Sequence, residues 1–381
     1  MNKLEIYIHI PFCAKKCDYC DFLSAPCDDE TVNRYVEALK YEIECARDEI
    51  KEYLVDTIFI GGGTPSILEG KQITSVLETL KNCANISDDA EITIECNPGT
   101  VDESKLKTLF AAGINRISLG LQSANDDELK SIGRIHTYDE FLESYNIARE
   151  CGFNNINVDL MSALPGQTKE TYVESLKKVA ALNPEHISAY SLIVEDETPL
   201  EARVSNGEVD LPDEDTEREM YYATKDVLEK SGYHRYEISN YAKEGFECRH
   251  NIGYWKRVDY MGFGIGAASL VKNERYNNIS ELNKYIAVMD EFSDVSSIRE
   301  NVQKLSIQEQ MEEFMFLGLR MIDGISKTDF ENCFGKSIDE VYGDVVRKEE
   351  QTGNLICEKD RIRLSDKGID ISNIVLAKFL L

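Results

Sequence analysis

The sequence predicts an α/β fold: an incomplete (β/α)6-type barrel followed by a C-terminal helical, winged-helix-like domain. Three observations carry this prediction. Six short β-rich runs recur in the first half of the chain, at 4–10, 56–63, 91–98, 116–122, 155–161 and 186–192. Segments with apolar residues at helical spacing separate them, an alternation that calls for crossovers and a parallel sheet. After about residue 200 the rhythm stops. Six repeats fall short of a closed eight-stranded barrel, and an open doubly wound sheet satisfies the same alternation.

Each element has its own signal. LEIYIHI (4–10) alternates apolar and polar residues, as a first strand does. Residues 32–54 place Val32, Tyr35, Val36, Leu39, Ile43, Ile50 and Leu54 on one helical face. Later helices carry Ile73, Val76, Leu77 and Leu80, then Leu106, Leu109 and Phe110, then Phe141, Tyr145 and Ala148, then Tyr172, Leu176 and Val179. Gly113 and Gly152 fall where two of these helices end, a position that favours glycine.

An acidic, loop-like stretch (194–217) with Pro199 and Pro212 opens the second half. A helix at 216–231, a strand-like YHRYEISNYA and the run CRHNIGYWKRVDYMGFGIGAAS follow. From about 300 the chain reads as helical and ends in a hairpin, GNLICEKDRIRLSDKG. These breaks predict a barrel core at 1–215, a barrel-capping extension at 216–298 and a C-terminal domain at 299–381.

Composition narrows the function classes. The 381 residues are 42% hydrophobic, enough for a sizeable core, and no apolar run approaches the ~18 residues of a membrane span. MNKLEIYIHI reads as a strand rather than a signal peptide, so the expected compartment is the cytoplasm. A formal net charge of −28 argues against nucleic acid as a partner. The C-terminal 83 residues hold 12 Lys and Arg against 16 Asp and Glu, so a wing there is not a DNA reader. Eleven cysteines in a reducing compartment must be ligands or buried thiols. Cys45, Cys83, Cys151 and Cys333 fall on apolar helical faces and are expected in the core.

HIPFCAKKCDYCDF (9–22) gathers Cys13, Cys17 and Cys20 within eight positions. Three chemistries compete for such a set. Structural zinc takes four ligands, usually from two separated knuckles, and no second knuckle is visible. A redox dithiol needs two cysteines. A [4Fe–4S] cluster on three cysteines leaves one iron open, which accounts for the missing fourth ligand. Gly61, Gly62 and Gly63 at a strand end allow close backbone approach, and Thr64 adds a hydroxyl. Glu95, Gln122, Arg134 and Asp159 follow at or near successive strand ends, where together they read as one ligand shell; Arg134 can meet a carboxylate with two N–H groups.

These residues resemble the radical SAM superfamily. The resemblance rests on YxHIPFCxxxCxxCxF, IFIGGGTPS, ECNPGT, GLQSANDDELKSIGRIH and NVDLMSALPGQT, and spans at least 4–270. Within the superfamily it points to the subfamily of oxygen-independent coproporphyrinogen III dehydrogenase and the HemW haem chaperones. It implies that Cys13, Cys17 and Cys20 hold a [4Fe–4S] cluster, with S-adenosylmethionine on the open iron. It implies that Tyr7, Gly62, Gly63, Thr64, Glu95, Gln122, Arg134 and Asp159 contact S-adenosylmethionine, and it leaves a second such site open.

Three features separate the two branches. The dehydrogenase pattern has a further cysteine where this chain has Phe22, and a longer segment ahead of its first strand than the six residues before Tyr7. HNIGYW resembles an HNxxYW motif of the chaperones, which implies haem contact by His250, Asn251, Tyr254 and Trp255. A neutral imidazole for iron and aromatics for the macrocycle make chemical sense of it. The expected function is therefore a haem chaperone, delivering haem to a respiratory or other haem protein. An electron donor such as flavodoxin or ferredoxin, and a homodimer, come with the resemblance. Oxidative decarboxylation of coproporphyrinogen III is the competing expectation. His9 and His136 are expected to support the cofactor region by hydrogen bonding, and His186 and His234 to be structural. Cys27, past a proline in an acidic loop, is set apart from the cluster; Cys96 should face the helices if Glu95 faces inward; Cys248 stands near His250 as a possible aid to it.

Overall fold

A computed structural model describes residues 1–290 and 294–381, so residues 291–293 of the extension expected at 216–298 lie outside it. Six parallel strands form the first half: β1 (Asn2–Ile10), β2 (Tyr53–Gly62), β3 (Asn85–Cys96), β4 (Arg116–Gln122), β5 (Ile156–Ser162) and β6 (His186–Ser191). Helices Asp29–Cys45, Gly70–Cys83, Glu103–Ala111, Tyr138–Glu150 and Lys169–Leu182 make the successive crossovers.

Strand alternation sorts the chemistry. Toward the helices point Ile6, Ile8, Ile58, Ile60, Ile92, Ile94, Ile117, Leu119, Ile156, Val158 and Ile187, all buried in one core cluster. Residues of opposite parity are polar or aromatic: Glu5, Tyr7 and His9 on β1, Thr57 and Phe59 on β2, Glu91, Thr93 and Glu95 on β3. Arg116 and Ser118, Asn157 and Asp159, and His186 and Ser188 continue the set across β4–β6. The apolar layer between sheet and helices supplies the stability, at roughly 1.5–3 kcal/mol for each large side chain buried. The inner face is left for chemistry.

The sheet extends on both sides. In order it runs β12-β11-β10-β9-β1-β2-β3-β4-β5-β6-β8-β7, with β7 (His234–Arg235), β8 (Asn240–Ala242), β9 (Tyr260–Phe263), β10 (Ala268–Val271), β11 (Glu274–Asn278) and β12 (Arg299–Lys304). The short helix Arg249–Trp255, which carries HNIGYW, packs against β2 on the lumen side through Thr57 and Phe59.

A second core cluster forms from Met311 onward, among them Met315, Phe330, Tyr342, Ile362 and Phe379. Helices Ile307–Gly318, Lys327–Phe334 and Ile338–Gln351 surround it with a small antiparallel sheet, β13 (Ile325–Ser326), β15 (Arg361–Leu364) and β14 (Leu355–Cys357). The hairpin expected at GNLICEKDRIRLSDKG is the β14–β15 pair.

Several boundaries depart from the sequence reading. The helix read over 32–54 ends at Cys45; Leu54 belongs to β2, where it pairs with Lys3 and Asn85. Strand β3 starts at Asn85, not 91, because pairing with β2 draws polar NISDD into the sheet against its own preference. Arg299–Lys304, read as the start of the C-terminal domain, is a strand of the large sheet paired with β11. Phe110 is exposed. Cys45 and Cys333 are exposed too, against the expectation, whereas Cys83 and Cys151 are buried.

Candidate functional site

The loop 11–28 after β1 is pinned at several points. Cys13 N donates to Ala25 O and Ala25 N to Pro11 O, closing the loop on itself. Asp18 N donates to Ile132 O, Leu200 N to Asp18 O, and Arg203 reaches the Asp18 carboxylate at 3.0 Å. The glycine run explains itself against this loop. A Cβ on Gly63 meets Phe12 O at 2.7 Å and Cys13 Sγ at 3.0 Å, and one on Gly62, whose φ is +114°, meets the His9 ring at 2.6 Å. The glycines thus admit the cysteine loop as well as any ligand.

Cys13, Cys17 and Cys20 line one cavity of about 480 Å³ together with Gly62, Gly63, Thr64, Glu95, Gln122, Arg134, Asp159 and Asn251. No group of three or more His, Cys, Asp or Glu among the described residues converges on a single metal ion. Three thiols lining one cavity are a donor set that fits a [4Fe–4S] cluster, one thiolate to each of three irons. The donor set fits in a second respect: Thr64 Oγ1 donates to Cys13 Sγ and Arg134 Nη1 to Cys17 Sγ, each at 3.5 Å. Asn97 ties the two donors together, giving Nδ2–H to Thr64 Oγ1 at 2.9 Å and accepting from Arg134 Nη2 at 3.0 Å. Arg134 also donates to Gly120 O.

Above the cysteines the cavity is acidic. Glu95 accepts from Gly62 N at 3.0 Å, and burial with the nearby Asp159 carboxylate pushes it up to about 8. Burial raises Asp159 as well, against hydrogen bonds from Asn157, Ser188 and Ser118. Gln122 holds a φ of +73°, rare for a non-glycine residue, and accepts from Tyr190 OH at 3.2 Å. Buried carboxylates, an amide and hydroxyls in one cavity suit a ligand with an ammonium and ribose hydroxyls.

The remaining predicted residues line two adjoining cavities. Tyr7, His250 and Tyr254 border one of about 310 Å³ that shares Gly62, Glu95, Asp159 and Asn251 with the first. Tyr7, Tyr254 and Trp255 border another of about 350 Å³. Tyr7 OH donates to His9 Nδ1, because His9 Nε2 carries the proton that Leu23 O accepts; burial keeps this imidazole neutral. His250 is 1% exposed, and both its nitrogens are engaged, Nδ1 with Thr57 Oγ1 at 2.7 Å and Nε2 with Tyr254 OH at 3.0 Å. Its ring stacks on Phe59, and burial near Arg116 lowers it to about 3. Glu91 caps the first turn of this helix, accepting from Arg249 N and His250 N and from Cys248 Sγ.

Of the other residues weighed in the sequence, Cys27 is exposed. Cys96 is buried in the core cluster and also borders the main cavity. His136 donates to Leu121 O and is lowered to about 4 by burial and Arg134. His186 bridges Asn157 and Tyr236, and His234 pairs with Glu247 at the surface. Sequence reasoning missed Asn97, Ser118, Ser188 and Tyr190 in the main cavity, and Arg116, which is 2% exposed and whose Nε has no acceptor among the described residues. Asn97 stands two residues past Glu95, and Ser118 and Arg116 share the inward parity of β4, so strand alternation was the available signal.

Comparison with known proteins agrees with this geometry. The Radical SAM superfamily model matches residues 7–179, and the HemN C-terminal domain model matches 305–371. A Lactococcus lactis protein named Heme chaperone HemW is 38% identical over 98% of this chain and 97% of its own length. Its Bacillus subtilis counterpart is 37% identical over 98% of each. A Danio rerio mitochondrial protein named Radical S-adenosyl methionine domain-containing protein 1 is 32% identical over 99% of this chain and 87% of its own length. In fold, the chain is similar to Escherichia coli coproporphyrinogen III oxidase HemN, a radical SAM enzyme, with a TM-score of 0.86, 23% identity, and coverage of 100% of this chain and 90% of that one. On the superfamily match over residues 7–179 and the near-full-length relatives at 37–38% identity, the chain belongs to the radical SAM superfamily and, within it, to the HemW family.

Proposed function

We propose that the protein is a haem chaperone. It binds haem and delivers it to a respiratory or other haem apoprotein, and carries a [4Fe–4S] cluster with S-adenosylmethionine. The observation that carries this reading is the near-full-length likeness to relatives named haem chaperones, at 37–38% identity. Phe22 in place of a further cysteine, and HNIGYW, support the same branch.

In this reading Cys13, Cys17 and Cys20 hold the cluster, which when bound supplies an open iron for S-adenosylmethionine and one-electron chemistry. The chain's own residues do the rest. Thr64 and Arg134 offer N–H and O–H donors to the thiolates. Glu95 and Asp159 receive the ligand's ammonium or hydroxyls, Gln122 meets its polar edge, and Gly62 and Gly63 admit its backbone-facing side. Tyr7 closes the lumen beneath. His250, Asn251, Tyr254 and Trp255 belong to the haem-handling side. The expected setting is the cytoplasm, with a flavodoxin- or ferredoxin-like electron donor and a second copy of the chain as partners. Among the described residues no helix is long and apolar enough to cross a membrane.

The test is an anaerobic assay on cluster-loaded protein with S-adenosylmethionine, a strong reductant and coproporphyrinogen III. The chaperone reading expects no protoporphyrinogen and stoichiometric haem binding. Product beyond one turnover would establish the dehydrogenase instead.

A further inference from the structure

The cavity beside Trp255 holds a concentration of positive charge that the rest of the chain does not predict. The protein carries a net −28, yet one guanidinium covers its one tryptophan and two more line the cavity that the tryptophan borders. Arg320 covers the indole at 4.4 Å from the ring centre. Arg257 and Arg275 line the same cavity as Trp255. They share a single carboxylate: Arg257 Nε reaches Glu313 Oε2 at 2.9 Å and Arg275 Nη1 reaches Oε1 at 2.7 Å. Arg320 has Glu237, at 3.8 Å. Three cations thus stand against two carboxylates. Arg257 Nη2 also donates to Asn273 Oδ1 at 3.2 Å; with five N–H donors on each guanidinium, both lining arginines keep donors beyond these partners.

The rest of the lining is apolar or aromatic, with Tyr254, Tyr260, Leu270 and Leu317 as walls. Trp255 Nε1 is buried without an acceptor among the described residues, and a buried donor left this way costs about 1–3 kcal/mol. Arg257 adopts a φ of +55°, a strained conformation of the kind that clusters at ligand sites. A flat apolar wall, an unanswered donor and surplus guanidinium charge call for a flat apolar molecule with carboxylates.

We propose that this cavity seats one edge of a tetrapyrrole, with Arg257 and Arg275 receiving its carboxylates and the ring lying along Trp255 and Tyr260. The proposal rests on the haem reading above and refines it. Recognition runs through the carboxylates and the ring; iron is not claimed by His250, whose two nitrogens are committed to Thr57 and Tyr254. At about 350 Å³ the cavity is at the small end of ligand sites. It encloses part of a macrocycle and leaves the far edge outside, as a hand-over requires.

The test uses the fluorescence of Trp255, the only tryptophan in the chain. The full-length protein is titrated with haem, with iron-free protoporphyrin IX and with protoporphyrin IX dimethyl ester. Haem and protoporphyrin IX should quench at similar concentrations, and the ester should bind at least tenfold more weakly. Arg275→Gln should weaken protoporphyrin IX by about tenfold and leave the ester within twofold, with an unchanged melting curve. Trp255→Phe, followed by porphyrin fluorescence, should retain the preference for the free acid. Equal affinity for acid and ester, or an unaltered Arg275→Gln, overturns the seat while haem binding stands. Failure of the wild type to bind haem at all overturns the haem reading beneath it.

Discussion

Arg134 donates to the sulfur of Cys17 at 3.5 Å, from a position fixed by Asn97. The same Asn97 holds Thr64, which donates to Cys13. Two of the three proposed cluster ligands are thus joined by one arc of side chains that also borders the proposed S-adenosylmethionine site.

Asn97→Ala cuts this arc in the middle without touching a cysteine. Iron content should be retained. Affinity for S-adenosylmethionine should fall about tenfold, or about 1.4 kcal/mol, as Thr64 and Arg134 lose their orientation. Hydrogen bonds to cluster sulfur tune its potential, so the reduction midpoint should move negative, read by an EPR-monitored titration. An unchanged midpoint and affinity would remove Asn97 from the site.

Gly63→Ala should abolish cluster loading in a folded protein, because the new methyl meets Phe12 O and Cys13 Sγ at 3.0 Å or less. Gly166→Ala is the control. Unlike Gly63, that residue has a positive φ, +72°, but among the described residues no atom lies within 4 Å of its Cβ position, so backbone strain without a clash against the cysteine loop should leave iron content intact. Circular dichroism and iron analysis separate the two outcomes.

This pair also marks how far the sequence was legible. The cysteine spacing, the IFIGGGTPS run and the strand-end positions of Glu95 and Asp159 were legible in the sequence, and the structure brings these residues to one cavity. What the glycines touch was not legible, since Phe12, Ser24 and His9 reach them only through the fold of the cysteine loop. Asn97 was missed for the same reason: its partners Thr64 and Arg134 are 33 and 37 positions away. HNIGYW was read as a haem-facing motif, but nothing in its spacing said that Thr57 and Tyr254 would occupy both nitrogens of His250. In the fold, β12 and the early start of β3 escaped because neighbouring strands, not local propensity, make them strands.

Glu5 gives the pH dependence. It is buried beneath Gly253, and burial with Glu91 and Asp56 nearby raises it to about 9. A carboxyl raised in the folded state holds a proton that the unfolded chain releases near 4.5. Its contribution is full below about pH 4.5 and is lost as pH rises toward 9, at up to about 1.4 kcal/mol per pH unit. Glu5→Gln should therefore raise Tm more at pH 9 than at pH 6. Equal shifts at both would show that Glu5 is ionised in the fold.

Cysteine accessibility can be read directly. In native apoprotein Cys27, Cys45 and Cys333 should alkylate rapidly, while Cys83, Cys96 and Cys248 should react only after unfolding. Cys27→Ser should keep its iron and Cys20→Ser should lose it. Loss of iron from Cys27→Ser would place that residue among the ligands.

His250→Ala removes the partner of buried Thr57 and empties a packed position beside Phe59. Stability should fall by roughly 2–4 kcal/mol, measured by denaturant unfolding.

Under the proposed function the protein carries haem in order to release it. Load the cluster-containing protein with one equivalent of haem, remove the excess, add a haem-free respiratory apoprotein, and follow the Soret band. Transfer should be stoichiometric, with the donor left haem-free and no porphyrin chemically altered. Haem that never binds, or coproporphyrinogen III converted over many turnovers by the same preparation, would contradict it.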